Sequence, residues 1–420
     1  MEVRGFVDEI RDLGGIKFFK LNTSDGYVQI TINKSNTSKE IIKEFDKLTR
    51  QSCIIVEGKK IENNKAPQGF EVFPEKIKVL SIAETPLPID PSGKTQAELD
   101  TRLDWRSLDL RHPNNRAIFK IESKIIQGIT EYLNKKGFWQ VFTPCLMGAA
   151  SEGGSEVFPV AYFDKEAFLR QDPQLHRELT ILGGVEKLFD LGPSWRAELS
   201  HTTRHLCEHR ACAVELSFIE DEYDVIKVEQ ELIAAVIDKL KKDCSRELEL
   251  LKVEIEKPKL PFPVLEFPRV YDILAEFGKN YEIGEDYDRE SEVILWKYVK
   301  EKHKTDFFFV NRFPFTVKPF YVMRVDEDPI WARSVDMIYK GVELSSGGQR
   351  EHRYEKLIEQ VKEKKINLDS VEWFTKFFKY GAPTLGGFAM GIERLTMQLL
   401  DVKNVREVVL FPRTPERLLP

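Results

Sequence analysis

The sequence predicts an α+β fold in which a small N-terminal β-barrel precedes a larger domain built on an antiparallel sheet. Three observations carry this. Residues 1–85 are a succession of short β-branched and aromatic runs parted by turn sequences. A proline-rich stretch follows them. Beyond it, strand-like segments far outnumber strand–helix–strand alternations, which argues against a doubly wound parallel sheet.

The elements follow in order. "VRGFVDEI", "IKFFKLNT", "YVQITI", "CIIVEGKKI" and "EKIKVLSI" read as strands, with "RDLGG", "SDG" and "NNKAPQG" as turns and "SKEIIKEFDKLT" as one helix. Five strands and a helix in residues 1–85 fit an OB-type barrel. "AETPLPIDPSGK" reads as a linker, within a hinge segment set at 86–114. From there a domain over 115–420 begins with a helix whose Ile118, Ile121, Ile125, Ile129 and Leu133 share one face, closed by Gly137. "FWQVFTP" reads as a strand stopped by Pro144. Residues 222–257 and 290–304 read as helical, forming a small insertion near 222–304. "TDFFFV", "PFYVMRV", "SVDMIYKGVELS" and "REVVLF" read as strands, and "EKLIEQVKEKKI" and "MGIERLTMQLL" as helices.

Composition bounds the class. A chain of 420 residues, 42% apolar and 31% charged, is long enough for two or three domains and too apolar to be disordered. No apolar run reaches membrane-spanning length, and "MEVRGFVDEIRDLGG" lacks a signal-peptide core, so a cytoplasmic protein without a membrane is expected. Five scattered cysteines include no C-x-x-C pair, which speaks against zinc. A net charge of −6 gives no global basic footprint, so any nucleic acid must be bound through local patches.

Three clusters carry candidate chemistry. In "GPSWRAELSHTTRHL", Arg196 and Glu198 alternate as on a strand, and Arg204 and His205 follow in a polar loop. Together they suit a carboxylate or phosphate, or equally a surface ion-pair network. In "SVDMIYKGVELSSGGQREHR", Asp336 and Glu343 face each other across a hairpin turning at "YKG", a pair able to hold Mg²⁺ or simply two surface acids. Ser346 and two glycines let a ligand approach the backbone, and Arg350 follows. In "GGFAMGIERL", glycines open a helix with Arg394 in its first turn, which fits an anion site or tight helix–strand packing.

Together the clusters resemble motifs two (near 188–219) and three (near 386–400) of the class II aminoacyl-tRNA synthetases, with "FTP" after the long helix resembling motif one (near 116–144). "EGGSEVFPVAYFDKEAFLRQ", "RAELSHTTRHL", "VELSSGGQREHRYE" and "REVVLFPR" are closest to the archaeal aspartyl subgroup. The resemblance implies activation of L-aspartate by ATP with Mg²⁺, transfer to tRNA, and a homodimer. It implies catalytic roles for Arg196, Glu198 and Arg394. ATP would be bound by these with Arg204, His205, Leu206 and Glu343. Asp336, Glu343 and Ser346 would hold the metal. The amino acid would lie among Glu152, Asp172, Gln174, Arg177, Arg196, Ser346 and Arg350. Arg11, Phe18 and Gln29 stand where the family meets the anticodon, and an aromatic there would give a stacking platform.

The chain departs from that pattern in the amino-acid pocket. Asp172 stands for a serine, Arg177 for a lysine, Ala213 for an aspartate, Leu385 for a histidine and Ala389 for a glycine. Compensated drift and changed substrate choice both fit, so a paralogue activating another acid for a non-translational ligation is the alternative. A nucleic-acid-binding module with an inactive catalytic domain is a third, opposed by Arg196, Glu343 and Arg394. The family's tRNA-discriminating enzymes tend to have Trp and Lys, and its relaxed ones His and Pro, where this chain has Asp8 and Pro67; it fits neither pattern cleanly, and relaxed tRNA choice stays open.

Overall fold

The computed structural model describes residues 1–148, 156–199 and 202–420. It divides the chain into two compact units, Met1–Arg116 and Ala117–Pro420.

The first unit is a closed barrel of β1 (Glu2–Asp12), β2 (Ile16–Thr23), β3 (Gly26–Asn33), β4 (Cys53–Glu62) and β5 (Phe70–Ser81), in the order β1-β2-β3-β5-β4. Period-two alternation sends Val7, Phe19, Leu21, Ile30, Ile32, Ile54, Val56 and Val72 into its core. Helix α1 (Lys39–Asp46) starts where the Ser38 side chain accepts from the Ile41 N–H. Its Ile41 and Phe45 bury against the barrel. The proline-rich stretch carries no helix or strand until α2 (Leu99–Asp104), with α3 (Arg106–Asp109) following.

The second unit opens in α4 (Pro113–Lys135), followed by β6 (Trp139–Val141), β7 (Leu146–Met147), β8 (Pro159–Tyr162), β9 (Lys165–Leu169), α5 (Gln174–Leu182), β10 (Lys187–Trp195) and β11 (Glu208–Ser217). Then come α6 (Glu222–Asp243), α7 (Ser245–Leu251), β12 (Val264–Glu266), α8 (Arg269–Glu276), α9 (Arg289–His303), β13 (Phe307–Asn311), β14 (Ser334–Tyr339) and β15 (Val342–Arg350). The chain ends through α10 (Tyr354–Glu363), α11 (Leu368–Thr375), β16 (Leu385–Gly391) and α12 (Ile392–Leu399). The central sheet runs β12-β13-β14-β15-β16-β11-β10-β6. Its interior pairs are antiparallel and its two outermost pairs, β12–β13 and β10–β6, are parallel, so the sheet is mixed rather than purely antiparallel. One face packs on α4 and α6: the periodic isoleucines of α4 are all buried, in one core with Val214, Phe388 and Met337. The residues alternating with these face the other way.

Three strand expectations fail. "PFYVMRV" makes only isolated bridges, Val322 to Arg350 and Arg324 to Ala332. "REVVLF" holds a 3₁₀ turn, Val405–Val408, because Asn404 caps it by accepting from the Arg406 N–H. Arg196 and Glu198 lie just past β10, which ends at Trp195. The small sheet β7-β9-β8 and helices α5 and α11, of only nine and eight residues, were not foreseen.

Candidate active site

Strand register assembles the site. Asp336, Ser346, Ala389, Ala213 and Asp190 are successive cross-strand partners on β14, β15, β16, β11 and β10, and form one row on the face away from the helical core. Above this face lies a cavity of about 330 Å³.

One end of the cavity is cationic. Arg196, Glu198, Arg204, His205, Leu206, Glu343 and Arg394, the residues expected at ATP, all line it. Glu198 lies 3.5 Å from the Arg196 guanidinium and 3.7 Å from His205 Nε2. Arg394 Nη1 donates to the Glu343 carbonyl at 2.8 Å and sits 3.4 Å from its carboxylate. Burial and the nearby Asp336 raise the Glu343 carboxyl above its ordinary value. Ser346 lines the cavity. Asp336 does not; it is buried beneath, with Lys318 Nζ 3.0 Å away.

The other end is a buried polar network. Asp172, Gln174 and Arg350 line the cavity, whereas Arg177 is buried behind them. Arg177 Nη2 donates to Asp172 Oδ2 at 2.7 Å and to Gln174 Oε1 at 2.8 Å. Gln174 Nε2 donates to Glu215 Oε1 at 2.6 Å and Glu178 Oε1 at 3.0 Å, and Arg350 Nη2 to the same Glu215 oxygen at 2.8 Å. Burial would raise the Asp172 carboxyl, but Arg177, Arg350 and Arg170 together hold it below its ordinary value. Glycine is required at 387, where a Cβ would fall 2.0 Å from the Val214 carbonyl oxygen and 2.5 Å from the Glu215 carboxyl carbon. Ala389 lines the cavity; Ala213 and Leu385 are buried outside it. Glu152 lies outside the described residues.

Sequence reasoning missed Glu178, Glu215, His209 and Lys318. Glu178 stands one helical turn after Gln174, and Glu215 and His209 occupy alternate positions of β11 on the cavity face. Those spacings were the available signals. His209 lines the cavity, and burial with the nearby Arg196 and Arg394 lowers it to about 4, so it is neutral at neutral pH. Among the described residues no group of three or more His, Cys, Asp or Glu is placed to hold a metal alone. Nor is any described helix long and apolar enough to cross a membrane.

On the barrel, Arg11 and Phe18 are cross-strand partners, with the guanidinium 5.9 Å from the ring centroid. Phe18 pairs in turn with Thr31, and Gln29 lies on the same face of β3. The Gln29 amide donates to Glu71 at 3.0 Å, which leaves its oxygen as an acceptor. Asp8 is buried, 3.8 Å from Arg50, while Pro67 is exposed.

Residues 98–415 match the family described as tRNA synthetases class II (D, K and N), and residues 1–80 match the OB-fold nucleic acid binding domain. The chain is 46% identical over 420 residues to the aspartate–tRNA(Asp) ligase of Pyrococcus furiosus, covering all of this chain and 96% of the relative. It is 44% identical, with the same coverage, to the aspartate–tRNA(Asp/Asn) ligase of Methanopyrus kandleri. The crystal structure of asparaginyl-tRNA synthetase from Pyrococcus horikoshii with asparaginyl-adenylate superposes with a TM-score of 0.93 at 33% identity. That match covers all of this chain and 96% of the other.

Proposed function

The chain belongs to the class II tRNA synthetases (D, K and N), and on that footing we propose how its cavity works as an aspartate–tRNA ligase. It is an enzyme that forms an aminoacyl-tRNA, and its full-length relatives do not favour the paralogue reading. One observation carries the assignment of the site: a single cavity joins a wall of Arg196, Arg204 and Arg394 to a wall of Gln174 and Arg350.

In the first step a carboxylate oxygen of aspartate attacks the α-phosphorus of ATP and pyrophosphate leaves. The attacking group is already a nucleophile, so positioning and electrostatic stabilisation do the work. Arg196 bridges the reacting carboxylate and the α-phosphate, oriented by Glu198. Arg204, His205 and Arg394 take the outer phosphates, and Leu206 packs in the same wall. Of the three donors Asp336, Glu343 and Ser346 that would hold Mg²⁺, the last two stand at the cavity, and Asp336 would join them by exchanging Lys318 for the ion. Hard oxygen ligands suit it, and the charge crowding at Glu343 is what a divalent cation would relieve. Bound there, the ion would neutralise phosphate charge. Arg350 pairs with the substrate's side-chain carboxylate, backed by Arg177. Asp172 takes the substrate ammonium in place of the acid missing at Ala213, with Gln174 and Ser346 completing the described part of the pocket. In the second step the terminal ribose hydroxyl of tRNA attacks the carbonyl carbon of the adenylate and AMP leaves.

Arg11, Phe18 and Gln29 read the anticodon by stacking and base-edge hydrogen bonds. The domain division is barrel 1–85, linker 86–114 and catalytic domain 115–420. The homodimer forms along the segment around the edge strand β6, where Trp139, Phe142 and Leu146 are 65%, 82% and 45% exposed. Its place is the cytoplasm. ATP–pyrophosphate exchange across a panel of amino acids tests the substrate reading, with exchange expected for aspartate. Exchange with a different amino acid only would overturn it. Charging of aspartate and asparagine tRNAs by the same enzyme decides between strict and relaxed tRNA choice.

A further inference from the structure

The network behind the amino-acid end of the cavity holds three carboxyl groups, Asp172, Glu178 and Glu215, and two guanidinium groups, Arg177 and Arg350. Asp172 accepts from Arg177, and Glu215 accepts from Arg350. Among the described residues, Glu178 accepts only from the Gln174 amide, at 3.0 Å. It is fully buried, and its Oε2, like that of Glu215, has no hydrogen-bond partner among the described residues. A buried carboxylate without a cation is costly, so the spare negative charge is removed most cheaply by a proton on Glu178.

We propose that Glu178 is a positioning and specificity-determining residue, kept as a neutral acid so that the positive charge of Arg350 remains available to the substrate's side-chain carboxylate. It also fixes Gln174. The amide nitrogen is committed to Glu178 and Glu215 and the amide oxygen to Arg177, so the side chain meets the ligand in one orientation. Burial pushes the Glu178 carboxyl up to about 8, which agrees with the count of charges. The charged groups facing it are Arg177 on α5, Glu215 on β11 and Arg350 on β15. Asp190 on β10 is tied to Arg170, and Asp369, Glu372, Lys376 and Lys379, on α11 and the turn after it, are exposed. The inference rests on the reading of Arg350 as the aspartate side-chain partner.

The sign follows from the geometry. Above the titration of Glu178 a second negative charge appears beside Arg350, and an anionic side chain is bound less well. One proton linked to binding changes the apparent affinity by up to about tenfold per pH unit. The experiment measures KM for aspartate and for ATP by pyrophosphate exchange from pH 6.5 to 9.5 in the parent and in Glu178→Gln. The parent's KM for aspartate should stay level and then climb above roughly pH 8, while in Glu178→Gln it climbs only as far as the substrate's own ammonium titrates and KM for ATP is unmoved in both. The substrate's own ammonium titrates alike with either protein, so the difference between the two profiles is what is read. Superimposed profiles would overturn the proposal. Should Glu178→Gln not fold, calorimetry of aspartate binding to the parent at pH 8.5, in buffers of different ionisation enthalpy, still decides. Proton uptake well beyond the small share due to the substrate's ammonium is expected, and uptake no larger than that share overturns the idea. A parent that exchanges with no aspartate at any pH would instead bring down the Arg350 reading, and this inference with it.

Discussion

Asp172 shows how much a single position can carry. It lines the cavity, and its charge is held on by Arg177 at 2.7 Å. If it meets the substrate ammonium, its loss removes a charge-assisted bond of roughly 1.5–3 kcal/mol. Asp172→Ser is therefore expected to lower aspartate activation about tenfold or more, measured as kcat/KM in pyrophosphate exchange. Normal activation by that variant would mean that Asp172 serves Arg177 alone. Arg196 makes a harder demand. It lies half-exposed in the cationic wall, 3.5 Å from Glu198, so Arg196→Ala should nearly abolish exchange while moving the thermal midpoint little. A preorganised charge partner is worth about 2.7–4 kcal/mol in the transition state. Glu229 is a buried acid outside the cavity lining, bonded by the Ser345 hydroxyl and pushed up to about 8 by burial. Its folded pKa lies above the ordinary 4.5, so its contribution to stability is full below that value and is lost as pH rises to about 8. Between pH 7 and pH 8.5 the melting temperature should fall, and Glu229→Gln should flatten the fall. An equal slope in parent and variant would count against a neutral Glu229.

At the scale of elements, the pairing of β11 with β16 sets the pocket floor. Gly387 is the point where Glu215 crosses the neighbouring strand, and Gly387→Ala forces a Cβ into the Val214 carbonyl oxygen. Overpacking of this kind costs about 1–3 kcal/mol. Denaturant unfolding should therefore show a lowered midpoint, and KM for aspartate should rise as Glu215 is pushed from Arg350. A similar constraint couples β10 to the loop before α5. Arg170 bonds Asp190, Thr143 and the Pro193 carbonyl, and it fits only because residue 192 has no side chain: a Cβ there would lie 2.0 Å from its Nη2. In the barrel, the β1-β2-β3 face carries Phe18 between Arg11 and Thr31. Base stacking on such a ring is worth about 1–3 kcal/mol. Phe18→Ala should weaken tRNA charging and leave pyrophosphate exchange unchanged, because activation takes place on the other unit. Equal loss of both activities would mean that the variant misfolds.

For the whole molecule, assembly and the origin of the fold come together. The edge strand β6 and the segment after it leave Trp139 and Phe142 largely exposed, and a two-fold interface would bury them. Sedimentation at micromolar concentration should show a dimer; a monomer would remove that reading. The two-part architecture was legible in the chain because it rests on local periodicity. Alternation over residues 1–85 gave the barrel strands, and the 3.6-residue spacing of Ile118, Ile121, Ile125, Ile129 and Leu133 gave the buried face of α4. The cationic wall was legible too, because Arg196, Arg204, His205 and Arg394 sit in short contiguous motifs. Strand ends were less so: "REVVLF" has the composition of a strand, but Asn404 caps a 3₁₀ turn in its place. What no stretch of sequence contains is the row from Asp336 to Asp190, since it exists only when five strands distant in the chain fall into register. The same holds for the retreat of Arg177 behind Asp172 and Gln174 and for the uncompensated carboxyl of Glu178. Residue types and spacing determine which groups are present and which face of an element they take. Whether a carboxyl keeps its proton depends on how many charges surround it and how little water reaches it, and those are set by packing between remote segments.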